Sequence, residues 1–311
     1  MKFKLLSLLI LIAAPLLSQE TQPKDEEITI NEFISGSLLA PTSEDKPPLV
    51  IIIAGSGPTD RNGNQSFLKN DSYKKLARGL SKEGIASFRY DKRILKAQEL
   101  GIKESELSFD DFVTDAISVL DHFREKDDFG KIILLGHSQG SLIGMLAAEE
   151  KADAFISIAG AGKPIDSIIV EQIAIQMPGF EEGTRTSFKE MREKGSTSSY
   201  NPMLEAIFRP SVQPFLLSWM IYDPVAEIAK LDIPVLILNG TNDFQVTEKE
   251  AELLKAANPG AKLVLLEGMN HVLTKIESDD TLTNSKSYNE PALPLHPELL
   301  PTISAFIKDL E

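Results

Sequence analysis

The chain has 311 residues, of which 42% are hydrophobic and 25% are charged, and this composition suits one large α/β domain or a domain with an insertion. Its 32 basic and 46 acidic residues give a net charge of −14, which argues against nucleic acid or an anionic membrane surface as a partner. The chain has no cysteine, so disulfides, thiol catalysis and zinc–thiolate sites are excluded.

Residues 1–18 differ in composition from the rest of the chain. Two lysines precede an apolar run from Leu5 to Leu17, and Ser18 then leads into a polar segment. This pattern is typical of a secretory signal peptide that is cleaved after Ser18. We therefore expect an exported protein, periplasmic or extracellular, with no stable membrane insertion after cleavage. An uncleaved N-terminal anchor is the alternative.

The segments that follow alternate between strand and helix patterns. Residues 27–39 suggest a strand or hairpin at a sheet edge. The run LVIIIA is continuously apolar, as a strand covered on both faces of a parallel sheet should be. Further strands are predicted at 85–90, 132–135 and 154–159, and helices at about 73–82 and 109–125. This alternation predicts βαβ units and a mostly parallel sheet flanked by helices.

A glycine-rich loop, GSGPTDRNGN, leaves the carboxyl end of the LVIIIA strand. Open α/β sheets assemble their sites at this edge. The loop can supply a backbone N–H to an oxyanion, and we assign that role to Ser56. A phosphate-binding loop is the alternative, but the Walker lysine and the G-x-G-x-x-G spacing are both absent.

Two groups of charged residues receive structural interpretations. The Asp91-Lys92-Arg93 turn could position a ligand, but charged turn residues more often pair locally. The helix predicted from residue 109 carries aspartates that are interpreted as a solvated face: Asp110, Asp111, Asp115 and Asp121.

The stretch KIILLGHSQGSLIGMLAAE organises the rest of the chain. A buried strand meets the pattern G-x-S-x-G, and helical spacing of apolar residues follows. In such an elbow the serine occupies a strained turn, and a Cβ at either flanking glycine would clash with neighbouring backbone. We therefore predict that Ser138 is a nucleophile and that the Gln139 N–H faces the developing oxyanion.

The alternation breaks after the strand at 154–159. Residues 163–222 combine helical patches, polar stretches and prolines, and such a length is too great for a plain connection. We predict an inserted helical cap over 163–222, between core segments 19–162 and 223–311. Its apolar residues could line an acyl pocket, although each is individually more typical of a cap core: Met203, Phe208, Phe215, Trp219, Met220 and Tyr222.

Regular alternation resumes with strands predicted at 233–238 and 262–266, separated by a helix at 247–257. Asp243 follows the first of these strands and His271 follows the second. A serine hydroxyl needs an imidazole to take its proton and a carboxylate to orient that imidazole. Of the four histidines, only His271 follows a strand after the acid, so we expect it to be the general base.

No cofactor or metal is expected, because the four histidines show neither H-x-x-x-H nor H-x-x-E-H spacing.

Together these motifs resemble those of bacterial α/β-hydrolase fold esterases, which are serine hydrolases that carry a cap. The resemblance rests on GHSQG, AGSGPTDRNGN, RYDKR, NGTNDFQV and GMNHVL, and it spans nearly the whole mature chain. It implies the α/β-hydrolase fold and hydrolysis of small-molecule carboxylic esters through an acyl-enzyme on Ser138. Short to medium acyl chains are expected. The sequence departs from many relatives at Ala54, where they have a histidine.

Two other functions use the same residues or the same fold. An acyltransferase or a peptidase would employ the same triad of Ser138, Asp243 and His271. A non-catalytic ligand-binding member of the fold would be marked by an incomplete triad, whereas this sequence contains all three residue types in the expected order.

Overall fold

The computed structural model describes residues 23–42, 45–149, 151–278 and 280–310. The predicted signal peptide, residues 1–18, lies outside this part of the chain. No helix within the described ranges is long and apolar enough to cross a membrane.

A single mixed sheet of eight strands organises these residues, in the spatial order β1-β2-β4-β3-β5-β6-β7-β8. The first three strands of this order pair antiparallel, and every later pair is parallel. The predicted edge hairpin and mostly parallel sheet are therefore confirmed. The strands are β1 (Glu26–Thr29), β2 (Ser35–Leu39), β3 (Leu49–Ile53), β4 (Ala86–Tyr90), β5 (Ile132–His137), β6 (Ala154–Ile158), β7 (Val235–Gly240) and β8 (Lys262–Leu266).

Some helices cover the two faces of this sheet, and others pack in a separate hydrophobic cluster. The helices are α1 (Ser72–Lys82), α2 (Phe109–Lys126), α3 (Gln139–Ala148), α4 (Ile165–Gln176), α5 (Glu181–Lys194), α6 (Glu205–Phe208), α7 (Gln213–Trp219), α8 (Pro224–Ile228), α9 (Glu248–Ala257), α10 (Thr281–Ser287) and α11 (Leu299–Lys308). Strand β3 shows why its sequence is apolar throughout. Alternate side chains of a strand point to opposite faces, so Ile51 packs in a cluster with α2 and α3, whereas Ile52 packs in a cluster with α1 and α11.

Strand β7 begins two residues later than predicted, at Val235, and ends at Gly240. Pro234 immediately precedes it, and a proline lacks the N–H that a central strand must donate. The shift carries Asn239 and Gly240 into the strand, and it places Asp243 close to the strand's carboxyl end.

Residues 163–222, which lie between β6 and α8, contain helices α4 to α7 and have a hydrophobic cluster of their own. Phe208 and Met220 are buried in this cluster, whereas Met203 is 68% exposed.

One prediction about charged residues is wrong. Asp115 does not lie on a solvated face but is buried against the Arg93 guanidinium, with hydrogen bonds of 2.8 and 2.6 Å. Arg93 also reaches Asp111, and Asp91 pairs with Arg61 at 2.7 Å. Asp91 and Arg93 thus pair with other charged side chains, whereas Lys92, the residue between them, takes part in no ion pair within the described chain.

Candidate active site

The turn between β5 and α3 holds Ser138 in an unusual backbone conformation. Its φ and ψ are 55° and −121°, a combination that L-residues rarely adopt. The Ser138 N–H is anchored to the Ile158 carbonyl of β6 at 2.9 Å, so the sheet itself holds the turn. As a result the serine lies at the N-terminus of α3, at the carboxyl edge of the parallel strands.

The two glycines that flank this turn are required by close backbone contacts, as predicted. A Cβ at Gly136 would lie 2.1 Å from the Gly140 carbonyl oxygen. A Cβ at Gly140 would lie 2.3 Å from the Ile53 carbonyl oxygen of β3. Any larger residue would push α3 away from the sheet and displace Ser138.

Asp243 and His271 are brought together by the loops after β7 and β8. The Asp243 Oδ2 accepts a hydrogen bond from His271 Nδ1 at 2.7 Å, and both side chains are buried. The other carboxylate oxygen accepts the backbone N–H groups of Gln245 and Val246. Because the carboxylate only accepts, it fixes the proton on Nδ1 and leaves Nε2 of His271 as a base.

Ser138 and His271 line one small cavity together, although no hydrogen bond joins the two side chains among the described residues. Catalytic hydrogen bonds are often long in proteins without substrate and tighten when it binds. The structure therefore places the predicted base, His271, and the predicted nucleophile, Ser138, at the wall of the same cavity.

The glycine-rich loop after β3 lies directly against the elbow. A Cβ at Gly55 would be 3.3 Å from the Ser138 Cβ, which measures how closely the two backbones approach. The Ser56 carbonyl accepts hydrogen bonds from the side chains of Thr59 and Gln65. Within the described chain, the backbone N–H groups of Ser56 and Gln139 donate to no protein acceptor. Each therefore has a free hydrogen for a ligand.

Two cavities meet at Ser138. The large cavity has a volume of about 620 Å³ and lies between the sheet edge and the helices that follow β6. Phe215 and Trp219 line it, but the other aromatic and methionine candidates of the 163–222 segment do not. The small cavity, of about 90 Å³, is lined by His271, Tyr288 and polar residues of the glycine-rich loop. Ser56, Ser138 and Gln245 line both cavities.

His137 and Tyr73 form a buried link that the sequence did not reveal. The His137 Nε2 donates to the His271 carbonyl at 2.9 Å, and its Nδ1 accepts from the Tyr73 hydroxyl at 2.8 Å. The Tyr73 oxygen in turn accepts the Gly55 N–H at 3.1 Å. Burial lowers the pKa of His137 to about 3, so the ring is neutral, as these hydrogen bonds require.

The sequence also did not reveal the place of Lys92. It is buried, and its Nζ donates to the Gly55 carbonyl at 2.8 Å and to Gln139 Oε1 at 2.7 Å. The available signal was its position directly after β4, at the edge of the sheet where sites assemble.

Within the described ranges, no group of three or more histidine and carboxylate side chains is placed to hold a metal ion.

A strained serine at a strand-to-helix turn, a buried Asp–His pair and a mostly parallel eight-stranded sheet define the α/β-hydrolase class. Residues 50–280 match the alpha/beta hydrolase family, and the chain belongs to that family.

Among characterised relatives, the chain is 26% identical over 264 residues to esterase EstD of Thermotoga maritima. The match covers 83% of this chain but 62% of EstD, so the chain spans less than two thirds of that relative. Est1E from Butyrivibrio proteoclasticus has a similar structure, with a TM-score of 0.55 and 19% identity over 85% of this chain and 96% of Est1E. The esterase domain of a Rhodothermus marinus protein has a TM-score of 0.54 and 16% identity, over 93% of this chain and 99% of that domain. These structural likenesses reflect the shared fold.

Proposed function

We propose that the chain is an exported serine esterase that hydrolyses carboxylic esters through an acyl-enzyme on Ser138. Asp243 and His271 complete the triad, and the N–H groups of Ser56 and Gln139 form the oxyanion hole. The 163–222 segment acts as a cap over the acyl group. The match to EstD supports the reaction class, because that relative is an esterase.

One observation carries the proposal. Ser138 lies where the large cavity meets the small cavity, with His271 on the small side and two free backbone N–H groups beside it. A nucleophile, a base and oxyanion donors around one point are what acyl transfer needs.

The reaction then follows from these positions. His271 Nε2 takes the Ser138 proton as Oγ attacks the ester carbonyl carbon, and the carbonyl oxygen becomes an oxyanion held by the two N–H groups. When the tetrahedral intermediate collapses, the C–O bond to the alcohol breaks and His271 protonates the departing oxygen. Water, deprotonated by His271, attacks the acyl-enzyme, and the acid is released with Ser138 restored.

The two cavities support an assignment of the two halves of the ester. The alcohol must leave beside His271, and His271 lines only the small cavity. The acyl chain therefore extends into the large cavity, whose walls include Leu142, Ile168 and Phe215. A volume of about 620 Å³ is ample for short to medium acyl chains.

A fluorophosphonate probe tests the nucleophile without a choice of substrate. We expect covalent labelling of Ser138, with loss of fluoride, and no labelling in Ser138→Ala. Ser141→Ala is a matched control, because Ser141 is a buried serine one turn further along α3 that bonds to Ser157 instead. It should be labelled like the wild type. Hydrolysis of p-nitrophenyl esters should fall by several orders of magnitude in Ser138→Ala alone.

The competing reactions are separated by products. Turnover of an ester should greatly exceed that of the matching anilide, and added alcohols should not compete effectively with water for the acyl group. Faster anilide cleavage would indicate a peptidase, and predominant ester exchange would indicate a transferase. Export is tested by the mass of the N-terminal peptide in protein recovered outside the cytoplasm, which should begin at Gln19.

A further inference from the structure

The buried Lys92 ammonium has no carboxylate partner in the described part of the chain. Its hydrogen bonds go to a backbone carbonyl and a side-chain amide, and the third side of the ammonium faces the Phe112 ring, 4.5 Å from the ring centre. Burial lowers the pKa of Lys92 to about 7, while the nearby Asp115 carboxylate favours the charged form. Burying an ammonium without a paired carboxylate costs free energy.

The first contact acts on an oxyanion donor. The Gly55 carbonyl and the Ser56 N–H belong to the same planar peptide group, so a bond that fixes the direction of the carbonyl also fixes the direction of the N–H. A cation on the oxygen also polarises the peptide, which strengthens its N–H as a donor. The Tyr73 hydroxyl holds the other side of Gly55.

The second contact acts on the other donor residue. Gln139 is the first residue of α3, and its side-chain oxygen accepts from the same ammonium at 2.7 Å. One side chain thus ties the glycine-rich loop to the start of α3, across the gap in which the oxyanion would sit.

We propose that Lys92 is a positioning residue. It directs the backbone N–H groups of Ser56 and Gln139 toward the same oxyanion, and its ammonium adds positive charge close to these two donors. The proposal rests on the serine esterase function proposed above. Lys92 lines the large cavity but, within the described chain, forms no hydrogen bond to Ser138 or His271; it acts through the Gly55 carbonyl and the Gln139 side chain.

The test is Lys92→Met, which keeps the volume of the side chain but removes its donors. We expect kcat for a p-nitrophenyl ester to fall about 10- to 100-fold, with KM changed less than threefold. The fall is smaller than the loss of an entire oxyanion donor, which costs about 10²- to 10³-fold. Affinity for an alkylboronic acid, which forms an anionic tetrahedral adduct on Ser138, should weaken by the same factor as kcat/KM.

Lys75→Met is the matched control. Lys75 is a partly buried lysine on α1 that also donates to a backbone carbonyl, that of Leu293, and it lines neither of the two cavities. Its kcat and boronate affinity should equal those of the wild type. A merely structural effect of losing a buried lysine would appear in both variants as lower thermal stability, without the selective loss of kcat.

A second variant keeps the proposal testable if methionine disturbs folding. Because the chain has no cysteine, Lys92→Cys offers a single thiol for alkylation. Bromoethylamine would restore an ammonium at nearly the lysine position, whereas iodoethane would leave a neutral chain of similar length. We expect the aminoethylated protein to recover most of the lost kcat and the ethylated protein to recover none.

Equal kcat in Lys92→Met and wild type, or equal rates in the two alkylated proteins, would overturn the proposal. So would a rise in KM at constant kcat, because that would indicate ground-state binding. Failure of the underlying esterase function would look different, since the wild-type protein would then neither react with the fluorophosphonate nor turn over esters.

Discussion

The two cavities that meet at Ser138 differ in size and in the chemistry of their walls. The large cavity, about 620 Å³, has walls that are mainly aliphatic and aromatic, and part of them comes from the 163–222 segment. The small cavity, about 90 Å³, is built from core loops and carries His271, Tyr288 and several amides and hydroxyls. Ser138, the proposed nucleophile, and Ser56 line both cavities.

The difference between the two cavities gives the site two distinct sides, which would orient an ester in the proposed reaction. In the proposed reaction His271 protonates the leaving alcohol, and of the two cavities His271 lines the small one. The proposal therefore directs the alcohol toward His271 and the acyl chain into the apolar cavity on the other side of Ser138. The predictions below test the chemical roles of the two sides and then their selectivities.

The largest effect is expected on the side of the base. His271→Ala and Asp243→Asn should each lower kcat by about 10⁴-fold. The first substitution removes the imidazole. The second presents an N–H₂ group to Nδ1 of His271 and therefore favours the wrong tautomer. The factor should be the same for acetyl and octanoyl esters, because His271 does not line the large cavity. Steady-state kinetics on both esters measure it.

Asp232→Asn is the matched control, because Asp232 is an exposed acid before the same strand, at its opposite end. Its kcat should be unchanged. A loss in Asp243→Asn that grew with acyl length would show that the acid shapes the acyl site rather than the base.

A smaller effect is expected from filling the large cavity. Ile168 is a buried residue of α4 that lines it, and Ile168→Trp should lower kcat/KM for octanoyl esters about 10- to 100-fold while acetyl esters are little affected. A series of p-nitrophenyl esters measures the shift.

Ile175→Trp provides the control from the same helix, because Ile175 is 69% exposed and does not line the cavity. Its chain-length profile should match that of the wild type. An equal loss for acetyl and octanoyl esters in Ile168→Trp would place the acyl chain elsewhere.

Widening the small cavity should have a more modest effect. Tyr288 forms part of its wall, and Tyr288→Ala should raise the ratio of kcat/KM for butyl over methyl esters about three- to tenfold. Competition between the two esters of one acid measures this ratio directly. Tyr288→Phe removes the hydrogen bond from Gln245 but keeps the ring, so its ratio should stay at the wild-type value. A ratio unmoved by Tyr288→Ala would place the alcohol outside this cavity.

The sequence predicted those parts of the fold and site that depend on local patterns. The elbow was readable because an apolar strand, two glycines and a helical repeat are adjacent in the chain, and the glycine contacts are confirmed. The pairing of Asp243 with His271 could be anticipated because both follow neighbouring parallel strands, whose carboxyl ends lie at one edge of a sheet.

The rest depends on which distant segments meet. Asp115 pairs with Arg93, and the signal for its burial was its position on α2, three residues after Phe112 and four before Val119, both buried. Lys92 looked like its neighbours in a charged turn, and only the approach of the glycine-rich loop and α3 distinguishes it. Similarly, Phe215 and Trp219 line the large cavity because of how their helix docks, which periodicity does not encode.

A further prediction concerns stability rather than turnover, at His137 in the wall of the small cavity. Burial, with a further contribution from His271, lowers the pKa of His137 to about 3, against about 6.5 in an unfolded chain. Between these pH values the unfolded chain binds a proton at this position and the folded protein does not. Protonation of His137 in the unfolded chain therefore leaves the free energy of unfolding unchanged above about pH 6.5. Below that pH the free energy of unfolding falls, by up to about 1.4 kcal/mol per pH unit.

Urea denaturation of wild type and His137→Gln at pH 7, 6 and 5 measures this decrease. The variant is expected to be less stable at pH 7, because it loses the link between Tyr73 and the His271 carbonyl. The gap should narrow by about 1 to 2 kcal/mol at pH 5, since glutamine has no proton to bind. If the free energies of unfolding of the two proteins changed in parallel with pH, folded His137 would accept a proton readily. A protonated His137 beside His271 would then oppose the imidazolium that the proposed reaction forms. If the stability difference between wild type and variant narrows, folded His137 stays neutral. The proposed base, His271, can then become positively charged without a second cation beside it.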